Sequence, residues 1–474
     1  MFSSFSALSG RGRAAAARLA AATMVSGVVL TGALVTAGTA VADGTPQQQG
    51  GATATIGGLK TYGAAVVHGD DGDEQISAGL FEMSVDNGGM LQTYCVDLHN
   101  PTQKDAKYQE TSWSGTSLGG NKDAGRIRWI LQNSYPQVND LAALADRAGA
   151  AGLTEQDAAA GTQVAIWRYS DGADVDAVDP AAEKLADYLE KSAENLAEPE
   201  ASLTLDPSAV SGHPGERLGP VTVHTNADSV TVIPPADAAT SGVRVVDQDG
   251  RAVTSALDGG QVFFEVPEDA LDGSAALSVQ ASTSVPVGRA FTSDSRSQTQ
   301  ILAGSSESTV SATATANWAT TGPVPALSAQ KNCAKNGVDI TAANKGDETF
   351  TFQLMGFEHT IEAGESRTVT IPLQEDQPYD FTIQGPNGFE QRFTGVLDCE
   401  TQGAAGGESV QTLSEPSPAL AGDDTTAGGV NLAETGGSSA TPMIAGIAIV
   451  LLVIGGGVVL LVGKKEPHGT GARE

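Results

Sequence analysis

The chain has 474 residues, of which 57 are acidic and 26 basic, for a formal net charge of −31. So acidic a surface repels nucleic acid and anionic membranes and favours solubility, which excludes nucleic-acid binding as a function. The length allows two or three domains, each able to bury a core.

The N-terminus carries Arg11, Arg13 and Arg18, then an apolar run from Leu19 to Val35 that closes on Ala40-Val41-Ala42. That order is a signal-peptide layout with cleavage after Ala42. The run is too short and too rich in Ala, Gly and Thr for a membrane anchor. Residues 1–42 are thus expected to direct export. Residues 52–100 then alternate in period two through ATATIGGL, TYGAAVVH, ISAGLFEMSV and GMLQTYCVDL, which predicts strands separated by Gly and Asp turns. After Tyr108 the period becomes helical. KDAGRIRWILQNSYP places Ile127, Ile130 and Leu131 on one face and stops before Pro136. TEQDAAAGTQVAIWRYS opens on Thr154 as N-cap with Asp157 three residues later, and Asp179-Pro180 starts a further helix. Residues 43–198 therefore read as one α+β domain.

From Leu203 to Trp318 the helical period is gone and short alternating segments predict a β-sandwich over 199–325, with a hairpin at Asp249-Gly250. A second all-β, immunoglobulin-like unit is expected over 326–400, with its clearest turn at Asn387-Gly388. This unit begins near Cys333 and ends at Cys399. In an exported chain two cysteines bracketing one small domain are most simply a disulfide, worth roughly 4 kcal/mol for so long a loop. Residues 401–431 are Gly, Ala, Ser, Thr and Pro with scattered acids, a linker that reaches on the order of 100 Å when extended.

Leu432, Ala433, Glu434, Thr435 and Gly436 spell LAETG, followed by twenty uncharged residues, Met443 to Val462, and then by Lys464 and Lys465. Such a run suffices for a transmembrane helix, and the lysines mark its cytoplasmic side. Motif, span and basic tail over 432–474 resemble the cell-wall sorting signal of Gram-positive bacteria in its LAxTG form. The resemblance implies a precursor held in the membrane, sortase cleavage between Thr435 and Gly436, and linkage of Thr435 to peptidoglycan. Residues 43–435 keep 20 basic and 55 acidic residues, a formal net charge of −35.

With Cys333 and Cys399 paired, Cys95 is left over. Met90, Tyr94, Val96 and Leu98 make a buried core cysteine plausible, and an interchain disulfide, a reactive thiol and a cross-link stay open. TYCVDL together with GTQVAIW resembles the thioester domain of Gram-positive surface proteins, also called the TQxA domain. YQETSWSG (108–115) and RWILQNSYP (128–136) extend the resemblance over about 55–198, and GRAFTSDSRSQTQILA (288–303) resembles the β-domain that often follows. The resemblance implies a bond between Cys95 and Gln163 of the Thr162-Gln163-Val164-Ala165 segment.

The chemistry suits these residue types. A thiol that attacks a side-chain carboxamide expels ammonia and leaves a thioester. Sulfur donates poorly into the carbonyl, so a later amine converts the thioester to a stable amide and releases the thiol. Water has to be excluded meanwhile, and Tyr94, Ile166 and Trp167 are candidates for a dry wall beside Ala165. A helical glutamine is ordinarily a solvated residue; Gln163 instead lies in the apolar AAAGTQVAIW, where an unpaired carboxamide is costly to bury. His99 is the nearest candidate base, although a loop residue is its default role, and Asp97 reads as a turn former. HGDDGDE (68–74) lacks EF-hand spacing, and neither zinc spacing nor a phosphate loop is present, so no metal or cofactor is expected. Adhesins of this kind often carry isopeptide bonds, for which Lys331, Lys335 and Lys345 are available.

The expected function is that of a secreted, wall-anchored adhesin. It captures a Lys- or polyamine-bearing partner once per molecule and so is not an enzyme. The alternatives are a non-covalent adhesive or structural wall protein with Cys95 packed, and a cysteine hydrolase or transglutaminase using Cys95 with His68 or His99.

Overall fold

The computed structural model describes residues 50–400, apart from Asp71 and Arg296. The signal peptide, the linker, the LAETG motif and the apolar run 443–462 lie outside the described residues. Among the described residues no helix is long and apolar enough to cross a membrane.

A long hairpin opens the fold. β1 (Thr53–Gly69) pairs antiparallel with β2 (Gly72–Val85), and β3 (Met90–Cys95) continues the meander. Near the end of this hairpin His68 lies 2.8 Å from Asp73 and 3.3 Å from Asp176. β4 (Lys107–Thr111) precedes three helices, α1 (Ala124–Asn133), α2 (Leu141–Ala148) and α3 (Glu155–Ser170); β5 (Val175–Ala177) and α4 (Pro180–Ser192) complete the region. α1 buries Ile127, Ile130 and Leu131, the three residues that set its period. Thr154 and Asp157 form a reciprocal capping box at the start of α3, and Asp179 caps α4 ahead of Pro180. α2 escaped the sequence reading; Asp140 caps it and Gly149 ends it in the left-handed region. α3 packs on α4 at Gly161, where a Cβ would stand 2.3 Å from the Ala182 carbonyl oxygen. That closeness sets the height of α3, and with it the position of Gln163.

The first sheet runs β2, β3, Gln300–Ser305, Ala290–Thr292, β4, β1, β5, and because β1 also pairs with β2 its first six strands close into a ring. Two of the six come from beyond residue 198. The expected division at 198/199 therefore does not enclose the sheet, and the 199–325 range is not self-contained. The reason is register. Gln300 pairs with Cys95 and Ile301 with Tyr94, while Ala290 pairs with Thr111, so 290–305 fills the gap between β3 and β4. A buried ion pair secures the insertion. Arg289 Nε donates to Glu110 Oε1 at 2.9 Å, and the same carboxylate accepts the backbone N–H groups of Ala52 and Ser202. One apolar core runs without interruption from Ala52 to Trp318.

The remaining strands of 203–318 form two sheets, four-stranded and five-stranded. Glu307–Trp318 shows why: its residues alternate between buried and less buried positions, with Val310, Ala312, Ala314 and Ala316 inward. Residues 325–396 form three small antiparallel sheets around a separate core that includes Val338, Ile340, Phe350 and Ile383. The strands Pro378–Gln384 and Glu390–Val396 meet across the Asn387-Gly388 turn. Cys333 and Cys399 are joined by a disulfide with their Cα atoms 5.2 Å apart.

Candidate functional site

Cys95 is the last residue of β3, and strand register leaves its backbone with one open side. Val96 donates to Thr299, so the Cys95 N–H and C=O point away from the 300–305 strand. The ladder with β2 stops at Phe81 and Thr93. Gln163 on α3 fills the vacancy. Its Oε1 accepts the Cys95 N–H at 3.0 Å and its Nε2 donates to the Cys95 carbonyl at 2.8 Å. A side-chain carboxamide thus takes the place of a strand residue along the Cys95 backbone. Both residues are buried, Cys95 at 3 % exposure and Gln163 at 1 %.

The sulfur faces a polar cluster. Gln300 Nε2 lies 3.4 Å from Sγ and the Thr102 hydroxyl 3.8 Å. Thr93 donates to Gln300 Oε1 at 2.9 Å, which turns the Gln300 amide nitrogen toward the sulfur. Thr102 Oγ1 accepts from Gln298 Nε2 at 2.7 Å and from Gln300 Nε2 at 3.3 Å, leaving its own hydrogen for Sγ. Burial pushes the Cys95 thiol up to about 12, while Gln300 and Thr102 pull it back. Two demands follow for any acyl transfer here. Charge on the carbonyl oxygen is received by the Cys95 N–H, a backbone donor of the oxyanion-hole kind. Charge on sulfur is received by Gln300 and Thr102.

Three carboxyls stand near. Asp97 is 1 % exposed and pushed up to about 9 by burial and by Asp171 and Asp398; it accepts the His99 N–H at 3.1 Å and is held by Asn100. Asp171 accepts the Leu98 N–H at 3.2 Å. Asp398 reaches in from the last β-unit, where Thr299 Oγ1 donates to it at 3.2 Å, and burial raises it to about 7. Asp97 thus forms the turn its sequence context suggested, in a buried setting.

The other residues singled out from the sequence fall into two groups. Thr162 donates to the Ala158 carbonyl at 2.6 Å and meets Ser134, and Tyr94 lies beside it with its hydroxyl on the Tyr135 carbonyl at 2.9 Å. Strand alternation turns Tyr94 to the face opposite Cys95, so it walls the helix side and not the sulfur. Ala165, Ile166 and Trp167 are buried on α3, the last two at i+3 and i+4 from Gln163. His99 is exposed, and His68 sits near the end of the hairpin with Asp73 and Asp176. Among the described residues the sulfur meets Thr102 and Gln300, not a histidine. Lys335 pairs with Asp339 at 3.3 Å; burial holds the Lys331 amine below the usual lysine range, against the opposing pull of Asp294 and Asp398.

Gln298, Gln300 and Thr102 were missed. For the two glutamines the signal was present in SQTQ (297–300), four consecutive polar residues that no alternating strand of a sandwich would bury together; all four are at most 7 % exposed.

A comparison with known families bears on this geometry. Residues 92–195 match the thioester domain family. The match takes in both Cys95 and Gln163 and leaves out β1, β2 and the inserted strands. Residues 323–396 match the C-terminal domain of bacterial phospholipase C. No curated protein matches the chain. Among solved structures, the chain is similar to the Bacillus anthracis TIE protein, at 14% identity over 73% of this chain and 63% of that one, with a TM-score of 0.25. It thus spans less than two thirds of that protein. It is also similar to the thioester domain of the Enterococcus faecium TIE86 protein (15% identity, 59% of this chain and 99% of that one, TM-score 0.26). A third similarity is to the N-terminal thioester domain of the fibronectin-binding protein SfbI from Streptococcus pyogenes (18% identity, 27% and 78%, TM-score 0.19).

Proposed function

We propose that the chain is a surface adhesin in which Cys95 and Gln163 form an internal thioester that captures an amine-bearing partner covalently. The observation that carries this is the pairing of the Gln163 carboxamide with both backbone groups of Cys95, inside a segment that matches the thioester domain family. Sγ adds to Gln163 Cδ, ammonia leaves, and the thioester carbonyl keeps the Cys95 N–H. When an amine adds to Cδ, the C–S bond breaks, an amide forms at Gln163, and the proton lost by the amine ends on the Cys95 thiol. Each molecule reacts once, so the protein is not an enzyme. A buried site that disfavours thiolate also makes the sulfur a poorer leaving group, which helps keep the bond intact while no target is present.

The partner is a lysine side chain or a polyamine, and the acidic surface steers cations toward it at low salt. Export through residues 1–42 and linkage of Thr435 to peptidoglycan complete the proposal, on the strength of the two terminal sequence patterns. The test is intact mass. The purified protein should weigh one ammonia less than its sequence, after the two hydrogens of the Cys333–Cys399 disulfide are allowed for. Cys95→Ala should restore the full mass, and methylamine should add to the wild type alone. A wild type of full mass would falsify the thioester.

A further inference from the structure

Strand register sets one residue directly across from the sulfur. Gln300 pairs with Cys95, and since it is Val96 that hydrogen-bonds to Thr299, Cys95 and Gln300 form a non-hydrogen-bonded pair. The side chains of such a pair share a face and approach closely. Gln300 is fully buried, with its Nε2 3.4 Å from Sγ and 3.3 Å from the Thr102 hydroxyl. Thr93, two residues before Cys95, lies on the same face of β3 and is also fully buried. Its hydroxyl donates to Gln300 Oε1 at 2.9 Å, which fixes the way the carboxamide faces. In a thioester the sulfur carries no hydrogen. An oxygen turned toward it would find no donor, whereas Nε2 supplies one. Thr93 lies inside the segment that matches the thioester domain family, and Gln300 lies well beyond its end.

We propose that Gln300 is a catalytic residue of amine capture, whose Nε2 holds the departing sulfur, and that Thr93 is the positioning residue that aims it. The inference rests on the thioester reading and adds to it the group that lets a buried sulfur leave. The step balances without a further reagent. The amine nitrogen adds to Gln163 Cδ, the Cδ–Sγ bond breaks with its electron pair on sulfur, and one amine proton ends there as the thiol. Gln300 donates a hydrogen bond throughout and gives up no proton. A resting thioester sulfur is a weak acceptor, and the departing sulfur carries charge. The bond from Gln300 therefore strengthens along the reaction and lowers its barrier.

The experiment times methylamine uptake by intact mass on full-length mature protein, after the deficit of one ammonia has been read in each sample. Gln300→Met, close in shape but without the donor, should slow uptake about ten-fold or more. Thr93→Val removes only the hydroxyl that aims the carboxamide and should slow uptake about three-fold or more. Added to Gln300→Met it should slow nothing further, because both act through one contact. Gln300→Glu gives the readout that packing alone would not move. Ionised, its carboxylate faces the departing sulfur; protonated, it regains a donor. Its rate relative to wild type should therefore rise about five-fold or more as pH falls from about 9 to about 6. Taking the ratio removes the titrations that both samples share, those of methylamine and of Asp97, Asp171, Asp398 and Tyr108 around the site. A wild-type rate in Gln300→Met or Thr93→Val, an additive double variant, or a ratio flat with pH overturns the proposal. So does a missing deficit in any variant, which would assign the pair to bond formation. A wild type without the deficit overturns the thioester reading instead, and that failure is read on an unsubstituted sample.

Discussion

The ring of strands around Cys95 and the last β-unit each close a chain loop, by different physical means. The last unit closes locally: Cys333 and Cys399 are 66 residues apart, a disulfide joins them, and the core between them is its own. The ring closes over a far longer span. Gln300 lies beside Cys95 and Ala290 beside Thr111, held by strand pairing and by the buried Arg289–Glu110 pair. A covalent tie constrains the unfolded chain and depends little on its surroundings. A buried ion pair works only while both charges and the backbone donors around them stay in place. The contrast teaches that the Cys95–Gln163 site depends on the less forgiving of the two devices.

Arg289→Met strikes that device directly. It strands the Glu110 carboxylate at 1 % exposure and should cost about 3–5 kcal/mol in urea unfolding, most of it regained in Arg289→Met with Glu110→Gln. A loss below 1 kcal/mol would mean the ring does not need the pair. Replacing both Cys333 and Cys399 by serine should cost about 4 kcal/mol, with faster amide exchange confined to 326–400. Exchange that also rises in β3 and β4 would erase the distinction between the two regions.

Asp398 sharpens the contrast, because it belongs to the last unit and touches the ring through Thr299. Its carboxyl is raised to about 7 by burial, so the folded chain holds a proton that the unfolded chain releases near pH 4. Its contribution to stability is therefore complete below pH 4 and lost as pH rises toward 7. Asp398→Asn should flatten that fall and raise stability at pH 8 by about 2 kcal/mol, measured by thermal unfolding across pH. The smallest effect is expected at the α3 cap: Thr154→Ala should cost about 1 kcal/mol and leave the methylamine rate unchanged, since the cap lies two turns before Gln163. A slowed rate would show that the frame of α3, and not only Gly161, positions the carboxamide.

Sequence alone determined the elements whose signal is local. Period placed Ile127, Ile130 and Leu131 on a buried face, capping residues marked the starts of α3 and α4, and the count of thiols singled out Cys95. The motif around Gln163 named a partner for it. Short amphipathic α2 went unread because eight residues carry little periodic signal. What only the tertiary structure decided was the company of the sulfur. Which edge of β3 stays open depends on where β2 stops pairing, and which strand lies on the other edge depends on a segment some two hundred residues away. Neither is encoded in the neighbourhood of either residue. Burial likewise made SQTQ a set of donors and acceptors, where the sequence by itself presents four polar residues of a loop.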